Sequence, residues 1–242
     1  MDLSVVVPVR DEADNIEPLI AEIEGVLDGR MEYEIVYVDD GSEDDTPARL
    51  RAARRAWPRL EIVRHRVSCG QSAAIITGIK AARGLWIATL DGDGQNDPAG
   101  IMALWEAARR SGTGDRERTV YIGHRKKRKD SVGRRVASRV ANGVRAGLLR
   151  DRTPDSGCGL KLFTRASFLD LPRFDHMHRF LPALFLRQGM RVVSIEVNHR
   201  PRQRGVSKYG IFDRLWVGIV DLFGVMWLLR RTKLPDIEET EE

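Results

Sequence analysis

Cysteine is nearly absent: Cys69 and Cys158 are the two in 242 residues, with no C-x-x-C and no Cys/His spacing near either. That excludes a zinc site of the ribbon or finger type and a disulfide framework, and makes a reducing compartment the default. Long apolar runs are missing too. None reaches the roughly 18 to 20 residues a spanning helix requires, so no transmembrane segment is expected. The opening Met1-Asp2-Leu3-Ser4-Val5 enters an apolar run at once, without the basic stretch of a secretion signal, and a cytoplasmic chain is the expectation. No G-x-G-x-x-G follows that run, which removes NAD and FAD as cofactors. His176, His178 and His199 lack metal-ligand spacing and read as hydrogen-bonded structural residues.

What the chain does hold is apolar content enough for a sizeable core, 42% of residues, and a net charge of +5. A positive balance suits nucleic acid, an anionic membrane surface or phosphorylated substrates alike. Along the chain, β-branched runs alternate with helical patterns. Leu3 to Val9 reads as a strand, followed by a helix with Ile16, Leu19, Ile20, Ile23 and Leu27 at helical spacing. Glu34 to Val38 is the second strand, then the turn Asp39-Asp40-Gly41-Ser42 and a helix opening after Asp44-Asp45-Thr46-Pro47. Leu60 to Val63 precedes the loop Ser68-Cys69-Gly70-Gln71 and an Ala-rich helix. Leu85 to Leu90 leads into a polar run and a helix from Pro98 to Arg110. This alternation predicts an α/β fold, a doubly wound, mostly parallel sheet with helices on both faces and right-handed crossovers.

Ligands in such sheets sit at the carboxyl ends of strands. Two of those ends are acidic. Asp39-Asp40 can accept hydrogen bonds from a nucleobase N–H or from ribose hydroxyls. Asp91 and Asp93, separated by one small residue and with Gln95 one step beyond, can converge on a Mg²⁺ or Mn²⁺ that keeps positions open for a diphosphate. A lone D-x-D is more often a solvated turn than a metal site, and spacing alone leaves both readings.

In order along the chain, Val5-Val6-Val7-Pro8-Val9-Arg10-Asp11-Glu12, Val38-Asp39-Asp40-Gly41-Ser42, Gly70-Gln71-Ser72 and Asp91-Gly92-Asp93-Gly94-Gln95-Asn96-Asp97-Pro98 resemble the motifs of family 2 glycosyltransferases with the GT-A fold. The nearest group is dolichol-phosphate mannosyltransferase-like, the polyprenyl-phosphate glycosyltransferases, and the resemblance covers residues 3 to 210. It implies an inverting transfer of a sugar from a UDP- or GDP-linked donor to a dolichyl or undecaprenyl phosphate, with Mg²⁺ or Mn²⁺ as cofactor. It implies that Pro8, Val9, Arg10, Glu12, Asp39, Asp40, Gln71, Asp91, Gly92 and Asp93 hold the nucleotide-sugar, and that Asp91, Asp93 and Gln95 surround the metal. Asp11 stands where many members carry Asn, and the base stays open between uracil and guanine.

Positive charge concentrates after a fifth strand, Thr119 to Ile122, in Gly123-His124-Arg125-Lys126-Lys127-Arg128-Lys129 and then Arg134, Arg135, Arg139 and Arg145 on a helical pattern. A solvated basic face and an acceptor-phosphate site both fit. Nucleic acid is not an expected partner, because no aromatics interleave the charges and no binding module is present. An anionic membrane surface would contribute about 1 kcal/mol per basic residue. Within the family this region receives the lipid phosphate, which singles out Arg125 and Arg135. Asp155-Ser156-Gly157-Cys158-Gly159 resembles the family's D-x-G-C-G turn near the donor sugar; otherwise it is a plain tight turn. In Arg200 to Tyr209, Arg offers a planar fork and Lys a point charge, so the loop can close on phosphate. It matches the family's R-x-x-G-x-S-K-Y at Arg202, Gly205, Ser207, Lys208 and Tyr209, and is expected to be mobile without substrate. Arg125, Arg135, Arg202, Ser207 and Lys208 thus form the acceptor-phosphate set; Asp91, Asp93, Arg125, Arg202 and Lys208 form the catalytic set.

Ile211 to Leu229 is apolar but interrupted by Asp213, Arg214 and Asp221. It reads as an amphipathic helix with Trp216, Phe223, Met226 and Trp227 on its apolar side, lying in a membrane interface or packed against the core or a second copy. The expected organisation is a catalytic domain over 1–210, this helix over 211–234, peripheral at the inner face of the membrane, and an acidic disordered tail over 235–242; a homo-oligomer is left open. Two other functions remain: transfer to a soluble or polysaccharide acceptor, which would want a carboxylate base, and a non-catalytic basic binding protein.

Overall fold

The computed structural model describes residues 1–125, 143, 147–149, 151, 153–201, 211–231 and 233. Its centre is β1 (Leu3–Val9). Side chains alternate across a strand, so Leu3, Val5, Val7 and Val9 enter one core with α1 (Ile16–Leu27), α2 (Thr46–Ala56) and α4 (Ala99–Arg110). Val6 enters the other, with Ala74, Ile75 and Ile79 of α3 (Gln71–Ala81). Burial on both faces is the reason the strand is apolar at successive positions.

Among the described residues, seven strands form one sheet in the order β3 (Leu60–Arg64), β2 (Tyr33–Asp39), β1, β4 (Trp86–Thr89), β6 (Lys161–Thr164), β5 (Thr119–Arg125), β7 (Arg191–Val197). Only β6 runs against its neighbours; the other pairs are parallel. The mostly parallel sheet covered on both faces is as expected. β2 and β4 flank β1 on opposite sides, and the strand order reverses there, which opens a crevice at the carboxyl ends of β1 and β4.

Several boundaries differ from the sequence reading. β4 begins at Trp86, whose ring meets Trp105 of α4 edge-on at 5.8 Å, while Leu85 is turned out to solvent. β5 runs past Ile122 to Arg125 because its parallel pairing with β7 persists to Arg125 and Val197. A short α5 (Thr113–Glu117) precedes it. After α6 (Arg165–Leu169) comes a 3₁₀ turn, Met177–Arg179, and α7 (Leu181–Arg187) then opens with Pro182 in its first turn.

The last helix, α8 (Ile211–Arg230), has two apolar faces. Val225 is fully buried, and Leu222, Met226 and Leu229 pack beside it on the core of α3, α6 and α7. Arg187 Nε donates to the Leu228 carbonyl at 3.3 Å. The opposite face leaves Val220, Phe223 and Trp227 at 57%, 65% and 59% exposure. Met226, expected beside Phe223 and Trp227, therefore turns inward, since its helical neighbours Leu222 and Val225 are the ones that meet the core. The side chain of Trp216, the basic stretch 126–142 and the acidic tail 235–242 lie outside the described residues. Among those described, no helix is long and apolar enough to cross a membrane.

Candidate active site

The crevice between β1 and β4 is built around Asp91. Leu90 N donates to Val6 O at 3.1 Å, carrying the register of β4 one residue past its end and delivering Asp91 beside Pro8 and Val9. Gly92 makes the approach possible, because a Cβ there would overlap Val9 Cγ1. Asp91 Oδ1 accepts from Gln71 Nε2 at 2.9 Å and Oδ2 accepts from Asn96 Nδ2 at 3.2 Å. Across the crevice Gly159 backs onto the same carboxylate so closely that a methyl group in its place would overlap both oxygens. Asp93 Oδ1 accepts from Gln95 N at 3.1 Å, which folds the turn. Burial, and after it the charge of Asp93, raise the Asp91 pKa, against the opposing pull of Lys161, Asn96 and Arg125. The turn thus places Asp91, Asp93 and Gln95 together, with Gln71 reaching in from the start of α3.

The end of β2 is used differently from the sequence reading. Asp40 was expected to accept from the nucleoside, yet its oxygens are taken by the protein. Cys69 N donates to it at 2.8 Å, Gly70 N at 2.9 Å, Ser68 Oγ at 2.7 Å and His65 Nδ1 at 2.7 Å. Burial works against the Asp40 charge, but these donors outweigh it and hold its pKa below the usual carboxylate value. Asp39 is fully buried; it accepts from Ser42 N at 2.9 Å and pairs with Arg64 Nε at 3.0 Å. Both aspartates pin loops rather than face the crevice. Asp40, His65 and Cys69 place ligand atoms within 4.8 Å of one another. However, His65 Nε2 is bonded to Thr77 Oγ1 at 2.9 Å and Asp40 is saturated, so the trio reads as a loop anchor.

At the end of β1, exposed Arg10 donates from Nη1 to Ser68 Oγ at 3.1 Å. Asp11 adopts φ +51°, a region Asp tolerates better than most residues, and its Oδ1 accepts from Glu43 N at 2.7 Å. Glu12 takes Thr46 Oγ1 on its backbone N–H and Asn15 Nδ2 on its side chain. The loops after β1 and β2 are therefore one hydrogen-bonded unit, in which Arg10, Ser68, Asp40 and Gly70 are linked in turn and the neighbouring Gln71 reaches Asp91.

Arg125, expected to hold the acceptor phosphate, is instead paired with Asp155 through Nε and Nη2, each at 2.6 Å. Burial opposes its charge, and Asp155 more than restores it. The pair locks the 155–159 turn against Asp91. Behind that turn lies Lys161, a cation buried within the apolar run Leu160 to Phe163, whose Nζ donates to the Cys158 carbonyl. Burial pulls its pKa below the ordinary lysine value. A cavity of about 220 Å³ opens here, lined by Gln71, Thr89, Asp91, Lys161, His178 and Arg179 among others. Asn96, Lys161 and Arg179 were given no role by the sequence, and His178 only that of a hydrogen-bonded structural residue; for Lys161 the signal was present, a lone charge in a strand otherwise apolar. The segment that leads to Arg202 docks on the acidic turn: Arg200 N donates to Gln95 O at 2.9 Å, and Arg200 pairs with Asp97 at 3.0 Å and Glu22 at 2.6 Å. Arg135, Arg202, Ser207 and Lys208 lie outside the described residues.

Comparison with known proteins agrees with this architecture. The family described as Glycosyl transferase family 2 matches residues 4–171. The chain is 35% identical over 240 residues to dodecaprenyl-phosphate galacturonate synthase of Rhizobium johnstonii, covering 97% of this chain and 69% of that one. It is 35% identical over 211 residues to the undecaprenyl-phosphate 4-deoxy-4-formamido-L-arabinose transferase of Edwardsiella ictaluri, covering 86% and 63%. It thus spans about two thirds of the length of these relatives. Among solved structures, glucosyl-3-phosphoglycerate synthase from Mycobacterium tuberculosis, in complex with Mg²⁺ and UDP, superposes with a TM-score of 0.68 at 20% identity over 97% of this chain and 80% of that one. A Pyrobaculum calidifontis mannosyltransferase in complex with GDP-Man and Mn²⁺ gives 0.68 at 21% identity over 96% and 65%. The switch-point crevice, the acidic turn after β4 and the extent of these matches lead to one assignment: the chain belongs to glycosyl transferase family 2.

Proposed function

We propose that the chain transfers a sugar from a nucleoside diphosphate to a polyprenyl phosphate, with inversion at the anomeric carbon. The observation that carries this is Asp91, fixed by Gln71 and Asn96 at the crevice and lining a cavity backed by Lys161 and the Arg125–Asp155 pair. The names of both relatives, each a transferase or synthase of a polyprenyl-phosphate sugar, support the acceptor class.

A divalent cation suits the turn. Asp91 and Asp93 are hard oxygen donors whose charges oppose one another, and Asp91 is also desolvated, so a cation there relieves both costs. Held by Asp91 and Asp93 beside Gln95, Mg²⁺ or Mn²⁺ would neutralise charge gathering on the departing diphosphate. The chain's own residues do the positioning. Gln71 and Asn96 set the carboxylate plane of Asp91, while Arg10 and Glu12 stand at the nucleoside end. Asp39 and Asp40 act through the loops they pin. Arg125 fixes the 155–159 turn, and Arg135, Arg202, Ser207 and Lys208 hold the acceptor phosphate and offset repulsion between two anionic substrates. A phosphate acceptor is ionised near neutral pH, so no side chain has to remove a proton from it. The exposed apolar face of α8 would seat the enzyme peripherally on the cytoplasmic membrane surface, where such an acceptor resides.

The test supplies labelled nucleotide-sugars, undecaprenyl phosphate and Mg²⁺ or Mn²⁺ and follows label into the organic phase. Transfer that Asp93→Ala abolishes without loss of folding is the expected result. Label appearing only on water-soluble products would favour a soluble acceptor instead.

A further inference from the structure

We propose that the cavity beside Asp91 selects a donor sugar bearing a carboxylate, a uronic acid, and that Arg179 is the residue that reads it. The proposal rests on the transfer reaction above and names the sugar class that the reaction uses. Size comes first. At about 220 Å³ the cavity is smaller than the roughly 300–1,000 Å³ of sites that enclose a whole drug-sized ligand. It has room for one sugar ring and not for the nucleotide with it. Its position agrees, because Gln71 and Asp91 form its rim at the turn where the diphosphate would be held.

Charge then narrows the sugar. The lining includes one carboxylate, Asp91, and two permanent or potential cations, Lys161 and Arg179. Lys161 is committed: its Nζ donates to the Cys158 carbonyl, and its charge is set against Asp91. His178 adds a donor without adding charge. Its Nδ1 lies 2.8 Å from Ser72 Oγ, and that same oxygen accepts the His178 backbone N–H at 3.2 Å. With Ser72 giving its hydroxyl proton to Nδ1, the ring proton sits on Nε2, the tautomer that makes His178 a donor to the cavity. Burial, reinforced by Lys161 and Arg179, pushes the His178 pKa down to about 3, so the ring stays neutral at any working pH.

Arg179 remains as the cation with no ion pair among the described residues. A guanidinium that is partly withdrawn from water and lacks a counter-charge is costly, and its planar fork matches a carboxylate in two parallel hydrogen bonds. A hydroxymethyl group in the same place would leave the fork unmet, the situation that gives polar pockets their strongest discrimination.

The experiment compares the full chain with its Arg179→Gln and Arg179→Lys variants in the organic-phase assay. Donors are UDP-glucuronate, UDP-galacturonate and GDP-mannuronate against UDP-glucose, UDP-galactose and GDP-mannose, with thermal unfolding recorded for each protein. The expected result is a wild-type preference of at least about 100-fold in kcat/KM for one uronate over its neutral counterpart. Arg179→Gln should erase that preference, and Arg179→Lys should retain part of it. Equal or better use of neutral hexoses by the wild type overturns the uronate assignment and leaves the transfer reaction standing. Equal loss on every donor in a folded Arg179→Gln protein also overturns it, since Arg179 would then serve the diphosphate or the acceptor phosphate. Absence of transfer from any donor sinks the underlying reaction and this proposal with it.

Discussion

Gly159 and Asp91 occupy space that only a glycine leaves free. In Gly159→Ala the new methyl group must push the carboxylate away from Gln71 or Asn96. Overpacking of this kind costs about 1–3 kcal/mol of stability, whereas displacing a substrate-positioning group by an ångström costs about 100-fold in rate. We expect a folded protein with at least about 100-fold lower kcat/KM in the lipid-phosphate assay; a variant with unaltered kinetics would mean that Asp91 does not need its observed seat. Asp40 makes a prediction about stability. Its folded pKa lies below the ordinary carboxylate value, so its contribution is fully present above about pH 4 and is lost as pH falls through the lower folded value. Asp40→Asn should therefore lower Tm most at pH 7, and the gap to wild type should narrow towards pH 3, as followed by circular dichroism. The sequence showed Asp39 and Asp40 as acceptors at a strand end but not which donors would fill them. The donors of Asp40, namely Ser68, Cys69, Gly70 and His65, lie at separations of 25 to 30 residues along the chain.

At the scale of elements, what periodicity encodes was legible and what pairing decides was not. β1 and β2 were legible as continuous apolar runs because both their faces are buried, and α1 by its helical spacing because it buries one face. The antiparallel direction of β6 left no such mark, since a strand's side-chain pattern is the same in either direction. Nor did docking of the segment after β7 on the acidic turn, where Asn96 and His199 form an isolated antiparallel bridge and Asn198 Nδ2 donates to Asp97 Oδ2 at 3.0 Å. Arg200 closes that contact, reaching Glu22 of α1 with one nitrogen and Asp97 with another. Burial alone would raise the Asp97 pKa, and Asn198, Ala99 N and Arg200 together bring it below the ordinary value. Partly exposed ion pairs contribute about 0–1 kcal/mol each, so Arg200→Ala should shift Tm little. The same change removes the anchor from which the chain continues to Arg202, Ser207 and Lys208, and a fall in kcat/KM of about tenfold is the expected kinetic result. An equal loss in Tm and none in rate would reduce Arg200 to a surface ion pair.

For the whole molecule, α8 decides how the catalytic body meets its surroundings. Its inward face is core, with Val225 buried and Arg187 tied to the Leu228 carbonyl. Its outward face sets Val220, Phe223 and Trp227 in solvent, with the Arg231 guanidinium 5.9 Å from the Trp227 ring and Arg230 beside it in the chain. Apolar rings next to cations are what an anionic lipid surface binds, the rings by insertion and the cations by attraction to headgroups. Complete burial of a large apolar side chain is worth about 1.5–3 kcal/mol. Partial insertion of two would then amount to about 2 kcal/mol, or roughly 30-fold in partitioning. Phe223→Glu with Trp227→Glu should therefore weaken binding to vesicles of phosphatidylglycerol and phosphatidylethanolamine by about that factor, measured by sedimentation, while Tm stays close to wild type because neither ring is in the core. Raising salt should weaken wild-type binding only in part, since screening removes the cationic contribution and leaves the apolar one. If the double substitution instead leaves vesicle binding unchanged and converts a dimer to a monomer in analytical ultracentrifugation, the outward face of α8 meets a second copy of the chain, and the membrane must be engaged by another surface.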